Sequence, residues 1–175
     1  WIGGLSFSSA AWRLSARDQW IGWDEQARQA NLHKVISNSR FLILPGVRIA
    51  NLASHVLGLS GKILIEDWQK RYGYSPVLLE SFVDAGRFRG TCYKAANWRH
   101  LGSTEGRGRQ DRYHKAAVTV KDVYVFPLAR DFRRELCSGM EIKQESVEVF
   151  EGMDWAQEEF GRAELGDARL RKRLI

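Results

Sequence analysis

Tyr93 marks a possible chemical site in this sequence, since it lies five residues before Trp98 where a short helix is predicted to lead into a strand. A phenol has an ordinary pKa near ~10, so a tyrosine carries a transferable proton at neutral pH. The same stretch of chain is rich in arginine and lysine. It therefore combines a candidate chemical group with the positive charge that attracts a phosphate-rich partner.

Positive charge concentrates between residues 87 and 115. Eight basic residues stand there against two acidic ones, and the net charge of +6 equals that of the whole chain. The glycine- and arginine-rich part, 102–115, is predicted to be an exposed loop, and such arginines suit phosphates or base edges. A surface loop without a partner is the alternative. The residues predicted to contact nucleic acid here are Arg87, Arg89, Lys94, Arg99, Arg107, Arg109, Arg112 and Lys115.

Charge also divides the end of the chain into two parts. Residues 141–159 carry seven acids against one lysine, a net charge of −6 that is typical of a linker or a solvated helix. The tail then becomes basic, and Arg169, Arg171 and Lys172 are its predicted nucleic-acid contacts. A solvated helix face is the alternative for this basic run. We expect a domain over 1–138, an acidic linker over 139–153, and a short helical unit beginning at 154.

A predicted strand hands over to a predicted helix near residue 48. Backbone N–H groups at a helix N-terminus, together with the helix dipole, favour an anion such as a pyrophosphate. The loop has no Gly-x-Gly, so an ordinary helix start is the alternative. The residues predicted to hold a cofactor phosphate are Arg48, Ile49, Asn51, Leu52 and Ala53.

Other candidate groups give weaker signals. Glu80 and Asp84 lie at the end of one predicted strand and could form a carboxylate pair, although for Asp84 a cap of the next helix is the preferred interpretation. His55 lies among apolar residues at helical spacing, which predicts a core or half-buried histidine. No cysteine or acid stands at ligand spacing from the histidines, so no metal site is predicted. A Gly-x-Ser-x-Gly elbow is also missing, which disfavours a hydrolase triad.

Composition indicates a packed globule, with 44% hydrophobic residues and seven tryptophans in 175 residues. No apolar run approaches the ~20 residues of a membrane helix, so no membrane partner is predicted. The two cysteines lack zinc-ligand spacing and fit a reducing, cytoplasmic environment. Because the chain opens at Trp1 without methionine, we expect a fragment or a processed product.

Hydrophobic periodicity predicts an α/β fold with a mixed sheet. Strands at 40–44 and 76–82, joined by a helix, should lie parallel as a central crossover unit. The run 40–44 should be a central strand that is covered on both faces. The other predicted strands are an opening strand within 1–14, then 98–102 and 118–126, and the predicted helices are 24–32, 48–57, 66–71, 91–96 and 128–136.

Two of these segments resemble motifs of the GNAT acyltransferases. Arg48-Ile-Ala-Asn-Leu-Ala53 is similar to their Arg/Gln-x-x-Gly-x-Gly/Ala loop, which implies coenzyme A binding, with acetyl-coenzyme A as the donor. Tyr93-Lys-Ala-Ala-Asn-Trp98 resembles their Tyr-x-x-x-Gly-Phe junction. The resemblance covers about residues 36–103 and implies Tyr93 as the acid that protonates the thiolate and Glu80 as the base. Asn51 stands where the family has its first glycine, and Asn97-Trp98 replaces Gly-Phe.

A narrower resemblance covers most of 1–130. The motifs are similar to the DruA-type domain, which occurs in the Druantia anti-phage defence system and ahead of bacterial transposases. Trp155–Leu174 in turn resembles the opening DNA-binding segment of DDE transposases, whose catalytic core with three acidic metal ligands is missing here, so strand cleavage is not expected. The motifs that carry the DruA resemblance are Ser6–Ala11, Ile21–Trp23, Ser39–Pro45, Leu52–Gly58 and Phe88–Trp98.

These resemblances imply three hypotheses. The first is a transposase-associated or defence protein that binds DNA and reuses an acyltransferase-like fold without acyl transfer. The second is a coenzyme A-dependent acyltransferase that modifies a nucleobase, an amine or a protein. The third is a homodimeric module that only brings transposase chains together.

Overall fold

The computed structural model describes residues 1–106 and 119–138. The predicted acidic linker, the predicted C-terminal helical unit and part of the basic loop lie outside the described residues. In chain order the elements are β1 (Gly3–Ser9), α1 (Ser15–Ile21), α2 (Glu25–Asn31), a 3-10 turn (Leu32–Lys34), β2 (Val35–Ile43), α3 (Leu52–Tyr72), β3 (Leu78–Asp84), α4 (Thr91–Ala95), β4 (Arg99–Ser103), β5 (Lys121–Pro127) and α5 (Phe132–Cys137).

The described strands form one mixed five-stranded sheet in the order β1-β2-β3-β5-β4. Strands β2 and β3 are parallel, and the other neighbouring pairs are antiparallel. Helix α3 connects the parallel pair, because parallel neighbours need a long crossover connection. The predicted α/β fold with a central strand–helix–strand unit is therefore confirmed.

Strand β2 differs from its prediction in where it is buried. The predicted strand 40–44 was expected at the sheet centre, but the buried part is Val35–Asn38, and only this part pairs with β3. The register against β1 shifts at Ser39, an extra residue that forms a β-bulge. Beyond the bulge one side of the strand faces solvent, and Leu42 is 55% exposed. The apolar run therefore identified the strand, but it did not identify Val35–Asn38 as the buried half.

Helix α3 is one continuous helix of 21 residues rather than the two predicted pieces at 48–57 and 66–71. Its buried positions are Leu57, Gly61 and Leu64, which lie at helical spacing on the side that packs against the sheet. Helix α3 lies directly against β5 at Gly61, where a Cβ would stand in ordinary van der Waals contact, 3.5 Å from the ring of Phe126. The helix ends at Gly73 in the left-handed conformation, as predicted.

Two hydrophobic clusters cover the two faces of the sheet. Adjacent strand residues project to opposite faces, so Leu78 joins one cluster and Leu79 the other. On one face, here called the α3–α4 face, helices α3 and α4 pack over the sheet together with Tyr93 and Tyr124. On the other face, the α1–α5 face, helices α1, α2 and α5 pack over it.

The remaining elements follow the predictions with two exceptions. Helix α2 begins after Asp24, whose carboxylate accepts a hydrogen bond from the N–H of Ala27 at 2.7 Å. Helix α4 and strands β4 and β5 lie where they were predicted, and β5 is antiparallel to both of its neighbours. Helix α1 was not predicted, and α5 begins four residues later than expected.

Gly90 provides a stability test of the junction between β3 and α4. It has a φ of +63°, and a Cβ there would lie 2.2 Å from the hydroxyl oxygen of Tyr124. We expect Gly90→Ala to lower the free energy of unfolding by about 2–4 kcal/mol through strain and overpacking. As a control, Gly58→Ala in α3 meets nothing within 4 Å and should raise it by about 0.5–1 kcal/mol. Urea denaturation measures both, and a Gly90→Ala protein as stable as the parent would contradict this packing.

Candidate functional site

Tyr93 projects from α4 into the core of the α3–α4 face and is 6% exposed. Its ring stacks on Tyr124 at 5.3 Å between centroids and meets the edge of Trp98 at 5.1 Å. The backbone N–H of Trp98 also donates to the carbonyl of Tyr93 at 2.9 Å. The five-residue spacing noted in the sequence is therefore the spacing that closes α4 and brings the two aromatic rings together.

The hydroxyl of Tyr93 is held between the two parallel strands. It donates to Oδ1 of Asn38 at 2.9 Å and accepts from the hydroxyl of Ser81 at 3.0 Å. Asn38 and Ser81 form the last paired position of the parallel β2–β3 ladder, so the phenol lies where these strands stop pairing. Burial raises the pKa of Tyr93, and the hydrogen bond from Ser81 opposes part of that rise. The phenol is therefore protonated at neutral pH.

Glu80 is fully buried and paired on the α1–α5 face. Its Oε2 accepts from Nη1 of Arg17 at 2.7 Å, and its Oε1 accepts from the backbone N–H of Ala11 at 2.7 Å. Arg17 is equally buried and binds the carboxylate of Asp18 as well. Burial raises the pKa of Glu80, and the guanidinium and the N–H of Ala11 oppose that rise. Both carboxylate oxygens thus hold α1 and the segment before it against β3.

The structure does not bring Glu80 and Tyr93 together. Glu80 faces Arg17 beneath α1, whereas the next residue, Ser81, faces Tyr93 beneath α4. The sheet separates them, because successive strand residues project to opposite faces. A substrate beside the phenol would have β3 between itself and the predicted base. Asp84, the other carboxylate at this strand end, accepts from the backbone N–H of Gly86 at 3.0 Å in the following turn.

One cavity of about 570 Å³ lies between the start of α3, the end of α4 and the end of β5. Asn51 lines it from the α3 side and Asn97 from the α4 side, and both are in the left-handed conformation, with φ of 58° and 63°. Asparagine tolerates this conformation better than most residues, so it can stand where the GNAT motifs have glycine. Of the five described residues predicted to bind a cofactor, Asn51 lines the cavity, whereas Arg48, Ile49, Leu52 and Ala53 do not.

The polar residues that line this cavity are basic or neutral. Helix α3 contributes Ser54, His55 and Lys62, and the apolar part of the wall includes Phe126 and Leu128. His55 is exposed where it lines the cavity, rather than half-buried in the core as predicted. The cavity therefore suits a ligand with an anionic group and an apolar part.

The described basic residues of the predicted cluster do not form a single patch. Arg87 and Arg89 are exposed in the turn after β3, and Lys94 is exposed on α4. Arg99 lies elsewhere, on β4, with its guanidinium over the ring of Trp20 on the α1–α5 face. The other predicted contacts lie outside the described residues: Arg107, Arg109, Arg112, Lys115, Arg169, Arg171 and Lys172.

Over residues 1–106 and 119–138, no three histidine, cysteine or acidic side chains are grouped as a metal ion would need. Within the same ranges, no helix combines the length and the apolar character needed to cross a membrane.

Sequence reasoning missed Arg17 and Asn38, the partners of the two candidate catalytic residues. They contact residues 63 and 55 positions away, and no local pattern marks such a pairing. The available signal was indirect: Glu80 stands within a run of apolar residues, and a carboxylate inside a buried strand needs a cation or several N–H donors.

The buried pair gives a stability test of the role of Glu80. We expect Arg17→Met to lower the free energy of unfolding by about 3–5 kcal/mol, because it leaves an unpaired buried carboxylate. The double variant Arg17→Met/Glu80→Leu should lose less than either single variant, since it removes both charges. Chemical denaturation of the parent, of Arg17→Met, of Glu80→Leu and of the double variant measures the coupling energy between the two side chains. Strictly additive losses would show that the two side chains do not act as a pair.

Among solved structures, a putative arylalkylamine N-acetyltransferase 7 from the yellow fever mosquito, Aedes aegypti, is similar with a TM-score of 0.40 and 12% identity. The alignment covers 73% of this chain and 58% of that one, so the chain spans little more than half of that enzyme. A TM-score of this size supports no inference about activity or ligand. No curated protein matches the chain.

Two family models match the sequence. Residues 152–175 match the model described as transposase DNA-binding. Residues 1–115, well over half of the chain, match the model described as Druantia protein DruA. The chain therefore belongs to the DruA family.

Proposed function

We propose that this chain is a DNA-binding protein of a mobile element or a defence system, and that it acts in the cytoplasm. The observation that carries the proposal is the presence, in one chain, of a DruA match over 1–115 and a transposase DNA-binding match over 152–175. A DNA-binding segment joined to a second domain positions that domain on the same DNA by raising its effective concentration there.

The charge distribution supports the proposal. The two regions that carry the predicted contacts, 87–115 and the tail after 159, are both basic, and the acidic stretch 141–159 lies between them. Arg87, Arg89 and Lys94 are exposed and form no ion pair within the described residues. Unpaired surface cations gain most from phosphates, since each contact releases condensed counterions from the duplex.

Salt dependence of binding tests this function. The full chain should bind duplex DNA, and log Kd should rise linearly with log salt by about 0.9 for each phosphate contacted. Arg169→Gln/Arg171→Gln/Lys172→Gln should weaken binding by about tenfold or more and lower that slope. The matched control is Lys34→Gln/Arg40→Gln/Lys70→Gln, which removes the same charge from partly or fully exposed positions that are neither predicted contacts nor part of the cavity lining, and it should have little effect.

Fluorescence anisotropy with a labelled duplex measures these affinities. Two results would defeat the proposal: no binding at low salt, or equal losses in the tail variant and in the control. The homodimeric module of the third hypothesis is a separate question, and it requires the scattering mass of the full chain to be twice that of one chain.

A coenzyme A-dependent acyltransferase is the second candidate function, and the cavity beside Asn51 and Asn97 is the observation that favours it. The buried, ion-paired state of Glu80 disfavours it, because that carboxylate has no free oxygen for an amine. On this alternative Tyr93 remains the acid that protonates the thiolate.

Ligand linkage distinguishes the two candidates. The acyltransferase requires millimolar acetyl-coenzyme A to raise Tm, and Gly58→Phe, which fills the cavity from α3, to abolish that rise. It also requires Tyr93→Phe to lose turnover. If DNA binding is the function, we expect acetyl-coenzyme A to leave the Tm of both the parent chain and the Gly58→Phe variant unchanged. A shift that the filled cavity removes would establish the alternative.

A further inference from the structure

Trp20, near the end of α1, carries two arginine side chains. Its ring stacks on Phe132 of α5, with 4.9 Å between centroids and 16° between planes. The guanidinium carbon of Arg133 lies 4.7 Å from the centroid of the Trp20 ring, and that of Arg99 lies 5.9 Å from it. One half-buried ring thus locates one arginine from α5 and one from the edge strand β4.

Arg133 is fixed in place by its own hydrogen bonds. Its Nε and Nη2 donate to the carbonyl of Trp20 at 3.3 and 3.1 Å, and the guanidinium also lies 4.8 Å from the centroid of the Phe132 ring. Its Nη1 makes no hydrogen bond within the described residues. An arginine already held in one rotamer loses less side-chain entropy when it binds an anion.

Neither charge is neutralised within the described part of the chain. Among the acids on or beside α1 and α5, Asp131 pairs with Arg134 at 3.0 Å and Asp18 pairs with Arg17 at 2.7 Å. Glu135 of α5 forms no ion pair with Arg99 or Arg133 within the described residues. Arg99 forms no hydrogen bond and no ion pair there, so its guanidinium retains all five N–H donors. Two exposed cations beside one ring, without a carboxylate, indicate an anion-binding surface.

We propose that Arg99 and Arg133, positioned by Trp20, bind neighbouring phosphates of the backbone of duplex DNA. This inference rests on the proposed DNA binding and adds a contact surface on the α1–α5 face, away from Arg87, Arg89 and Lys94. Both guanidinium carbons lie close to the centroid of the Trp20 ring, at 5.9 Å for Arg99 and 4.7 Å for Arg133. The distance between the two carbons therefore cannot exceed the sum of these two distances. Each strand of a duplex presents a phosphate about every 3.4 Å of its axis, so a span of that size can reach two phosphates. Such contacts position the protein and carry no sequence preference.

A matched set of charge variants of the full chain tests the surface. Arg99→Gln and Arg133→Gln should each weaken binding to a short duplex by about fivefold or more and lower the salt slope by about 0.9. Arg40→Gln is the control. It removes the same charge from an exposed strand residue that forms no ion pair within the described chain, and β3 and β5 separate its strand from β4. It should change Kd by less than about twofold, since exposed charges beyond a Debye length are screened.

Arg99→Gln carries the test even if Arg133 also ties α5 to α1, because the Arg99 side chain gives up no hydrogen bond on substitution. A loss of affinity for Arg99→Gln equal to that for Arg40→Gln would overturn the inference. A lower Tm for Arg133→Gln with an unchanged Kd would show that Arg133 stabilises the fold and does not contact DNA. If the parent chain binds the duplex while both variants behave like the control, this surface alone is rejected. If the parent fails to bind at low salt, the proposed function fails with it.

Discussion

The structure depends on how β3 satisfies two adjacent polar residues inside a buried strand. Glu80 and Ser81 have almost no exposed surface, so each needs a partner on its own face of the sheet. Arg17 binds Glu80 on one face, and Tyr93 binds Ser81 on the other. The first contact fixes α1 and the second fixes α4. One strand therefore positions the elements on both sides of the sheet.

Because of this constraint, the two candidate catalytic residues, Tyr93 and Glu80, stabilise the fold. The phenol of Tyr93 donates to one protein group and accepts from another, each oxygen of Glu80 accepts one hydrogen bond, and the sheet separates the two side chains. Among the described residues, the groups that remain available to bind a ligand include the exposed arginines and the polar residues that line the cavity beside Asn51 and Asn97. Because exposed arginines suit a phosphate backbone, the same arrangement that builds the core leaves the surface free for DNA.

The local sequence pattern predicted those helices and strands whose buried residues are apolar. Strands β3 and β5 were found because their apolar residues are continuous or alternate, and α2 was found because Asp24 caps it. Strand β2 was placed too late, since its buried half includes Ser37 and Asn38, and the burial of a polar residue depends on distant partners. The break assumed within α3 arose from treating the two ends of its amphipathic pattern as separate helices.

The candidate site could be predicted only in part for the same reason. The sequence placed Asn51 and Tyr93 on the correct elements, and a left-handed asparagine at both 51 and 97 agrees with the glycine positions of the resembled motifs. It could not show which face of the sheet each side chain occupies. The dispersal of the basic cluster was equally invisible, because Arg99 meets Trp20 only after the chain has folded.

The most direct measurement of the central claim is the free energy of unfolding of Tyr93→Phe compared with that of Tyr72→Phe. Both changes remove one phenol oxygen, but Tyr72 is 46% exposed, whereas the hydroxyl of Tyr93 joins Asn38 and Ser81. The account predicts a loss of about 1–3 kcal/mol for Tyr93→Phe, because the buried Oδ1 of Asn38 loses its donor and Ser81 keeps only the carbonyl of Asn38 as an acceptor, and almost none for Tyr72→Phe. Equal stabilities of the two variants would contradict it.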